Sequence, residues 1–238
     1  MGVYKVKLIN KETVATDTMA FHFEKPTGFN FKAGQYADYV QIDPSQTDKE
    51  GTQRSFTLAC APYEDDICFI TRMRDTAFKR VMKDMTIGTE IKIDGPNGNL
   101  MLKDNTTPAV FLTGGIGVTP ALSIIKQAVH DHSDQKIILF YSNGNLESAV
   151  HMDKLYEMAK LNSNFTFVPT LTETLSGDFH GESGRIDIGM LHKYIPDLSI
   201  PNFYVTGPPT MVKSLRQILI SNGINKRHIF TEEFEGYK

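Results

Sequence analysis

Cysteine is scarce: the 238 residues include only two, Cys60 and Cys68. That excludes a four-thiolate zinc or iron–sulfur site built from this chain alone. The pair reads as two reduced, packed thiols, with a disulfide as the other reading. Long apolar runs are also lacking. None approaches the roughly 18–20 residues that span a bilayer. The opening MGVYKVKLINKE has no apolar centre of a secretory signal, and Val6 stands where a myristoylation signal wants a hydroxyl. The expectation is a cytoplasmic chain with no membrane span. The net charge of −3 leaves no basic footprint, so nucleic acid is not an expected partner. No Walker lysine pattern, metalloprotease helix motif or Gly-x-Ser-x-Gly turn occurs. No metal site is expected: His130 and His132 lie two apart near a solvated helix end and do not share a face. The run Tyr63-Glu64-Asp65-Asp66 reads as a hairpin loop.

What is present is a globular composition, 40% hydrophobic and 22% charged, long enough for two small domains or one large one. The first hundred residues read as β. Tyr4, Val6 and Leu8 alternate with polar residues, as do Met19, Phe21 and Phe23. Further short runs follow, separated by Gly, Pro and Asp, a spacing that suggests a barrel or sandwich. One helix interrupts them over 77–85, with Thr76 as N-cap. From about residue 105, short apolar strands alternate with helices, which implies a parallel sheet with right-handed crossovers. The expected division is 1–103 and 104–238. A parallel sheet places its ligand outside the carboxyl ends of its strands. Here those ends are Thr113-Gly114-Gly115, Tyr141-Ser142-Asn143 and Thr206-Gly207-Pro208.

The strongest local motif is Thr113-Gly114-Gly115-Ile116-Gly117-Val118-Thr119-Pro120, joining a strand to a helix. Glycine lets backbone approach a ligand closely, and helix N–H groups suit a pyrophosphate. Pro120 fits a first helical turn but replaces the third glycine of the dinucleotide fingerprint, so a bare tight turn is the competing reading.

Taken with Arg54-Ser55-Phe56-Thr57 and Gly207-Pro208-Pro209-x-Met211, in that order and spacing, the chain resembles the ferredoxin–NADP reductase superfamily over essentially its whole length. The resemblance is to the compact members without an iron–sulfur domain. It implies a Greek-key antiparallel β-barrel that binds FAD, followed by an α/β domain that binds NADP or NAD. By resemblance, Arg54 pairs with the flavin nucleotide's phosphates, beside Ser55. Phe56 packs on the isoalloxazine, in place of a Tyr often found there. The Thr57 hydroxyl bonds near flavin N5. A second phosphate contact is implied around Thr71, Arg72, Met73, Thr76, Ala77, Phe78 and Lys79, where many relatives have glycines and a serine. Arg72 and Arg74 read equally as solvated charges on a strand.

Gly114, Gly115, Ile116, Gly117, Thr119 and Pro120 would cradle the pyridine nucleotide. Gly207, Pro208, Pro209 and Met211 would form the ledge for its nicotinamide half. Thr206 stands where many relatives carry a cysteine. Ser142, with Arg185 from a neighbouring loop, is the candidate for a 2′-phosphate, giving a slight lean to NADPH. In the tail, Phe234 or Tyr237 would cover the flavin face, Phe234 being favoured. The implied activity is hydride transfer between NAD(P)H and FAD, with electrons passed to a separate one-electron carrier (ferredoxin, flavodoxin or cytochrome) or a small acceptor. The alternatives are a reductase of free flavin, a reductase subunit of a larger complex, and a nucleotide-sensing module. Oligomeric state is not legible.

Overall fold

The computed structural model describes residues 2–173 and 179–234. The first half is one antiparallel sheet. Its strands are β1 (Gly2–Ala15), β2 (Thr18–Glu24), β3 (Tyr36–Gln41), β4 (Gln53–Thr57), β5 (Asp66–Arg72) and β6 (Glu90–Asn97), in the order β4-β3-β6-β1-β2-β5. β1 is long enough to serve two neighbours. It pairs with β6 from Gly2 to Lys7 and with β2 from Leu8 onward, and a register shift after Leu8 bends it between them. The last strand returns to lie between β3 and β1, the long return of a Greek key. The two edges then meet. The Ala59 N–H donates to Cys68 O at 2.7 Å, and the rings of Phe56 and Phe69 stack at 4.2 Å. Closure into a barrel follows from this curl, which also removes exposed strand edges.

The alternation read in β1 is real: Val6 and Leu8 are buried, while Lys5, Lys7 and Ile9 are exposed. Phe21, Phe23, Tyr39 and Phe69 fill the barrel. Each such burial contributes about 1.5–3 kcal/mol relative to exposure. The single helix of this half, α1 (Ala77–Asp84), starts where expected, with the Thr76 hydroxyl accepting from the Lys79 N–H. Both cysteines are free and buried, and burial pushes the Cys60 thiol up to about 12.

The second half alternates strand and helix: β7 (Ala109–Gly114), α2 (Thr119–His130), β8 (Ile137–Asn143), α3 (Met152–Leu161), β9 (Phe165–Leu171), β10 (Glu182–Ser183), α4 (Ile188–Tyr194), β11 (Asn202–Gly207), α5 (Pro209–Ser221) and β12 (Ile229–Glu233). All six strands run parallel in the order β10-β9-β8-β7-β11-β12. β7 and β11 are buried along their whole length, because helices cover both faces. The chain moves from β7 toward β10, then returns to place β11 on the other side of β7. The turns after β7 and β11 therefore flank the point where strand order reverses. One detail differs from expectation: a 3₁₀ turn over Gly115–Val118 intervenes before α2 begins.

The sheets are joined by residues 98–108, which contain the boundary proposed at 103/104. Helix α2 rests on the barrel. The Ser123 hydroxyl donates to Cys60 O at 2.5 Å, and Lys126 pairs with Glu64 at 3.1 Å. His130 stacks on Tyr63 at 3.9 Å, so neither the helix end nor the 63–66 loop is merely solvated. Among the described residues no helix is long and apolar enough to cross a membrane, and no cluster of three or more His, Cys, Asp or Glu is placed to hold a metal.

Candidate functional site

A cleft of about 1060 Å³ lies between the barrel and the carboxyl ends of the parallel sheet. Strands β4 and β5 and the start of α1 form one wall. They contribute Arg54, Ser55, Phe56, Thr57, Thr71, Arg72, Thr76 and Lys79, all residues singled out above. The facing wall contributes Ile116, Thr119, Pro209 and Phe234, also anticipated, together with Glu232 and Glu233. Residues 57 and 232, far apart in sequence, thus border one space.

Four cations, Arg54, Arg72, Arg74 and Lys79, line the cleft together with the carboxylate of Glu50. Burial pushes Lys79 down to about 8, with the Arg74 and Arg54 cations adding to the shift. Its ammonium donates to Arg72 O at 2.7 Å. The Arg72 Nε is buried and has no hydrogen-bond partner. A crowded group of cations with an unspent buried donor is a site that an anion would stabilise.

Arg54 is not the free fork expected from its motif. Its Nη2 reaches Glu50 at 2.9 Å and Asp48 at 3.3 Å, and its Nη1 donates to the carbonyls of Glu50, Gly51 and Gln53. Asp48 also accepts from the Ala77 N–H at the start of α1. Burial works against this carboxylate, but the Glu50 and Ala77 N–H groups and Arg54 outweigh it and hold its pKa low. The loop before β4 therefore sets two carboxylates on Arg54. Sequence reading missed both. They approach Arg54 through a loop fold, not through a strand or helix period.

Apolar and aromatic side chains line the cleft as well. Phe56 is half-buried, with one face stacked on Phe69 at an interplanar angle of 5°. Thr57 is buried beneath the same wall. Phe234 is held by its N–H donating to Gly207 O at 2.9 Å, so the backbone runs on beyond β12 and brings the ring into the cleft. Glu232 is paired in register with Thr206, and burial raises its carboxyl pKa.

Other anticipated residues do not line this cleft. Ala77 and Phe78 are buried, Phe78 lying under the Arg54 guanidinium at 5.4 Å. Met73 packs against the barrel core instead. The glycine turn is a structural joint. A Cβ at Gly117 would lie 2.6 Å from the Gly207 Cα, so the turns after β7 and β11 touch backbone to backbone. The Thr206 hydroxyl donates to Gly117 O at 2.6 Å, which commits its proton to tying those turns together. Met211 leaves no room for a side chain at Gly114, and Gly115 adopts φ +54°. Pro120 is buried in the first turn of α2, and Pro208 caps α5. Ser142 is half-buried near the end of β8, and Arg185 is exposed. Tyr237 lies outside the described residues.

These two sheets and the cleft between them define a class. The chain has the ferredoxin–NADP reductase-like fold. Residues 111–217 match the family model described as the oxidoreductase NAD-binding domain. The whole chain superposes on a ferredoxin–NADP⁺ reductase from Neisseria gonorrhoeae, solved with bound FAD and NADP. The TM-score is 0.81 at 22% identity, covering 97% of this chain and 98% of that one. It also superposes on the FAD/NAD-binding domain of a Vibrio cholerae nitric oxide dioxygenase, with TM-score 0.84 at 15% identity, covering 97% and 98%. In sequence it is 27% identical over 219 residues to the reductase component of propane 2-monooxygenase from Rhodococcus jostii, covering 88% of this chain and 57% of that protein. The chain spans about three fifths of the propane 2-monooxygenase reductase components it matches.

Proposed function

We propose that this chain is an FAD-dependent NAD(P)H oxidoreductase that passes electrons to a separate acceptor. The observation that carries the reading is the one cleft shared by the two sheets, lined both by a group of cations and by the rings of Phe56 and Phe234. The residues present fit a flavin dinucleotide. Arg72, Arg74, Lys79 and the N-terminus of α1 would hold its phosphates, joined by Arg54 once Asp48 and Glu50 give way. Phe56 and Phe234 would bracket the ring, with Thr57 at its edge. The touching turns at Gly117 and Gly207 would receive the pyridine dinucleotide at the strand-order reversal. When bound, the flavin supplies a hydride acceptor that can release electrons one at a time.

The chain's own work is alignment and exclusion. Phe234 covers the apolar lining until a nicotinamide takes its place. The walls of Ile70, Ile116 and Tyr36 keep water from that lining. No side chain must move a proton for hydride transfer. The names of the matched relatives, reductase components of oxygenase systems among them, support a separate protein acceptor for this chain, with a ferredoxin, flavodoxin or cytochrome as candidates. Free flavin as substrate is the second reading, favoured by the carboxylates that already occupy Arg54.

The test is the absorbance spectrum of purified protein before and after each reduced pyridine nucleotide. Yellow colour retained through gel filtration and bleached anaerobically is expected. A colourless protein that turns over added flavin favours the second reading. Failure of either nucleotide to reduce bound or added flavin refutes the enzyme.

A further inference from the structure

We propose that the pyridine nucleotide this chain prefers is NADH, and that the carboxylate of Glu173 sets the preference. The inference rests on the reading that the parallel sheet binds a pyridine dinucleotide. In such a sheet the pyrophosphate lies at the turn after the first strand and the adenosine ribose at the end of the next one, where an acidic side chain holds the ribose hydroxyls. Here that next strand is β8. Its own end, Tyr141-Ser142-Asn143-Gly144-Asn145, contains no acid. The structure supplies one from the neighbouring strand.

Strands β8 and β9 continue to pair past their formal ends. The Thr172 N–H donates to Asn143 O at 3.0 Å, and the Glu173 N–H donates to Gly144 O at 3.0 Å. This brings Glu173 alongside Gly144. Its carboxylate lies over that glycine: a Cβ at 144 would stand 2.6 Å from Oε1. Oε2 accepts from Asn145 Nδ2 at 2.9 Å. Among the described residues the carboxylate is anchored by Asn145 and paired with no cation. The same strand end keeps unspent polar capacity, since Asn143 is 6% exposed and neither side-chain polar atom has a partner.

Arg185 does not offset this charge at Ser142. It follows Gly184, whose N–H donates to Leu171 O on the far side of β9. The order β10-β9-β8 puts the strand carrying Glu173 between Arg185 and Ser142. Two strand spacings are roughly 9–10 Å. A 2′-phosphate near Ser142 would therefore meet the carboxylate before Arg185. Ribose hydroxyls would donate to the carboxylate, whereas a phosphate of like charge is repelled.

The experiment has two arms. Anaerobic flavin reduction gives relative kcat/KM for NADH and NADPH, and calorimetry gives the affinities of 5′-AMP and 2′,5′-ADP, which differ only in the 2′-phosphate and involve no hydride transfer. Like charges a few ångströms apart near a surface are expected to disfavour NADPH and 2′,5′-ADP by roughly tenfold or more. Glu173→Gln keeps the bond to Asn145 and removes the charge, and it should bring both ratios to within about threefold, chiefly by improving the phosphorylated ligand. A wild-type preference for NADPH, or ratios unmoved by Glu173→Gln, overturns the inference. If neither nucleotide reduces flavin but 5′-AMP still outbinds 2′,5′-ADP, the inference stands and the oxidoreductase reading falls. If neither ligand binds, both fall.

Discussion

The two walls of the cleft are built from different parts of the amino acid. The barrel wall works through side chains: Arg54 projects from β4, Arg72 from β5, Lys79 from α1 and Arg74 from the link between β5 and α1. The α/β wall, lined by Ile116, Thr119, Pro209 and Phe234, rests on backbone behind it, where the turns after β7 and β11 touch at Gly117 and Gly207. A side-chain wall loses affinity in steps as groups are removed. A backbone wall tolerates no added atom, because its contact distance is already that of two bare chains. Substitutions should therefore separate the walls by symptom: weaker cofactor retention on one side, lost structure on the other.

The largest separation is expected at Arg54. Arg54→Ala removes a cation from the cleft and also releases Asp48 and Glu50 as unpaired carboxylates beside the phosphate site. Charged hydrogen bonds contribute about 1.5–3 kcal/mol, so FAD affinity should fall roughly ten- to a hundredfold with little change in unfolding midpoint. The converse variant, Asp48→Asn with Glu50→Gln, frees the guanidinium and should tighten FAD severalfold. Fluorescence titration of the apoprotein measures both. Equal affinities in all three proteins would show that the phosphates do not lie beside Arg54.

On the other wall, Gly117→Ala places a methyl group where the Gly207 Cα already stands at 2.6 Å. Backbone cannot rotate away as a side chain would. Overpacking of this kind costs about 1–3 kcal/mol, read as a lower denaturant midpoint. Reduction by pyridine nucleotide should slow in step with the loss, while FAD retention changes little. A variant as stable as the parent would mean that the turns separate easily, and the contrast between walls would then disappear.

Local signals carried much of the architecture. Period-two runs placed β1 and β2, strand–helix alternation placed the parallel sheet, and the Thr76 hydroxyl marked the start of α1 to the residue. The glycine turn was legible as a motif, but its 3₁₀ character was not, since that depends on how closely Gly207 approaches. What stayed hidden was long-range and ionic. Asp48 and Glu50 reach Arg54 through a loop with no periodicity. Glu173 reaches Gly144 only because two parallel strands continue pairing beyond their ends. Thr206 looked like a group facing the ligand, yet its hydroxyl bonds across 89 residues to Gly117 O. No pattern within one segment encodes a partner on another.

Lys79 sharpens the comparison through pH. Burial, then the Arg74 and Arg54 cations, lower its pKa from 10.5 to about 8. A bound phosphate favours the ammonium form, so FAD binding should take up a proton as pH passes through about 8. Affinity should hold steady below that value and weaken above it, by up to about tenfold per pH unit until the bound-state pKa is reached. For folding, the cost of the buried ammonium is present in full below about pH 8 and fades as pH rises toward 10.5. Lys79→Met should flatten the binding profile and weaken FAD at neutral pH. A profile of the same shape in wild type and variant would remove Lys79 from the phosphate site.

The smallest effect is expected at Thr206, where the backbone wall depends on one side chain. Its hydroxyl is 1% exposed and donates to Gly117 O, a carbonyl on a buried residue. Thr206→Val keeps the β-branched shape on β11 and strands that carbonyl, which costs about 1–3 kcal/mol for an unsatisfied buried acceptor. Thr206→Ser keeps the donor and loses only a methyl, so it should recover part of the stability. If the tie between turns is what matters, reduction by pyridine nucleotide should follow stability: Ser near wild type, Val slower, FAD affinity unchanged in both. A hydroxyl that also met the nicotinamide would break that order, because Val would then lose rate well beyond its loss of stability.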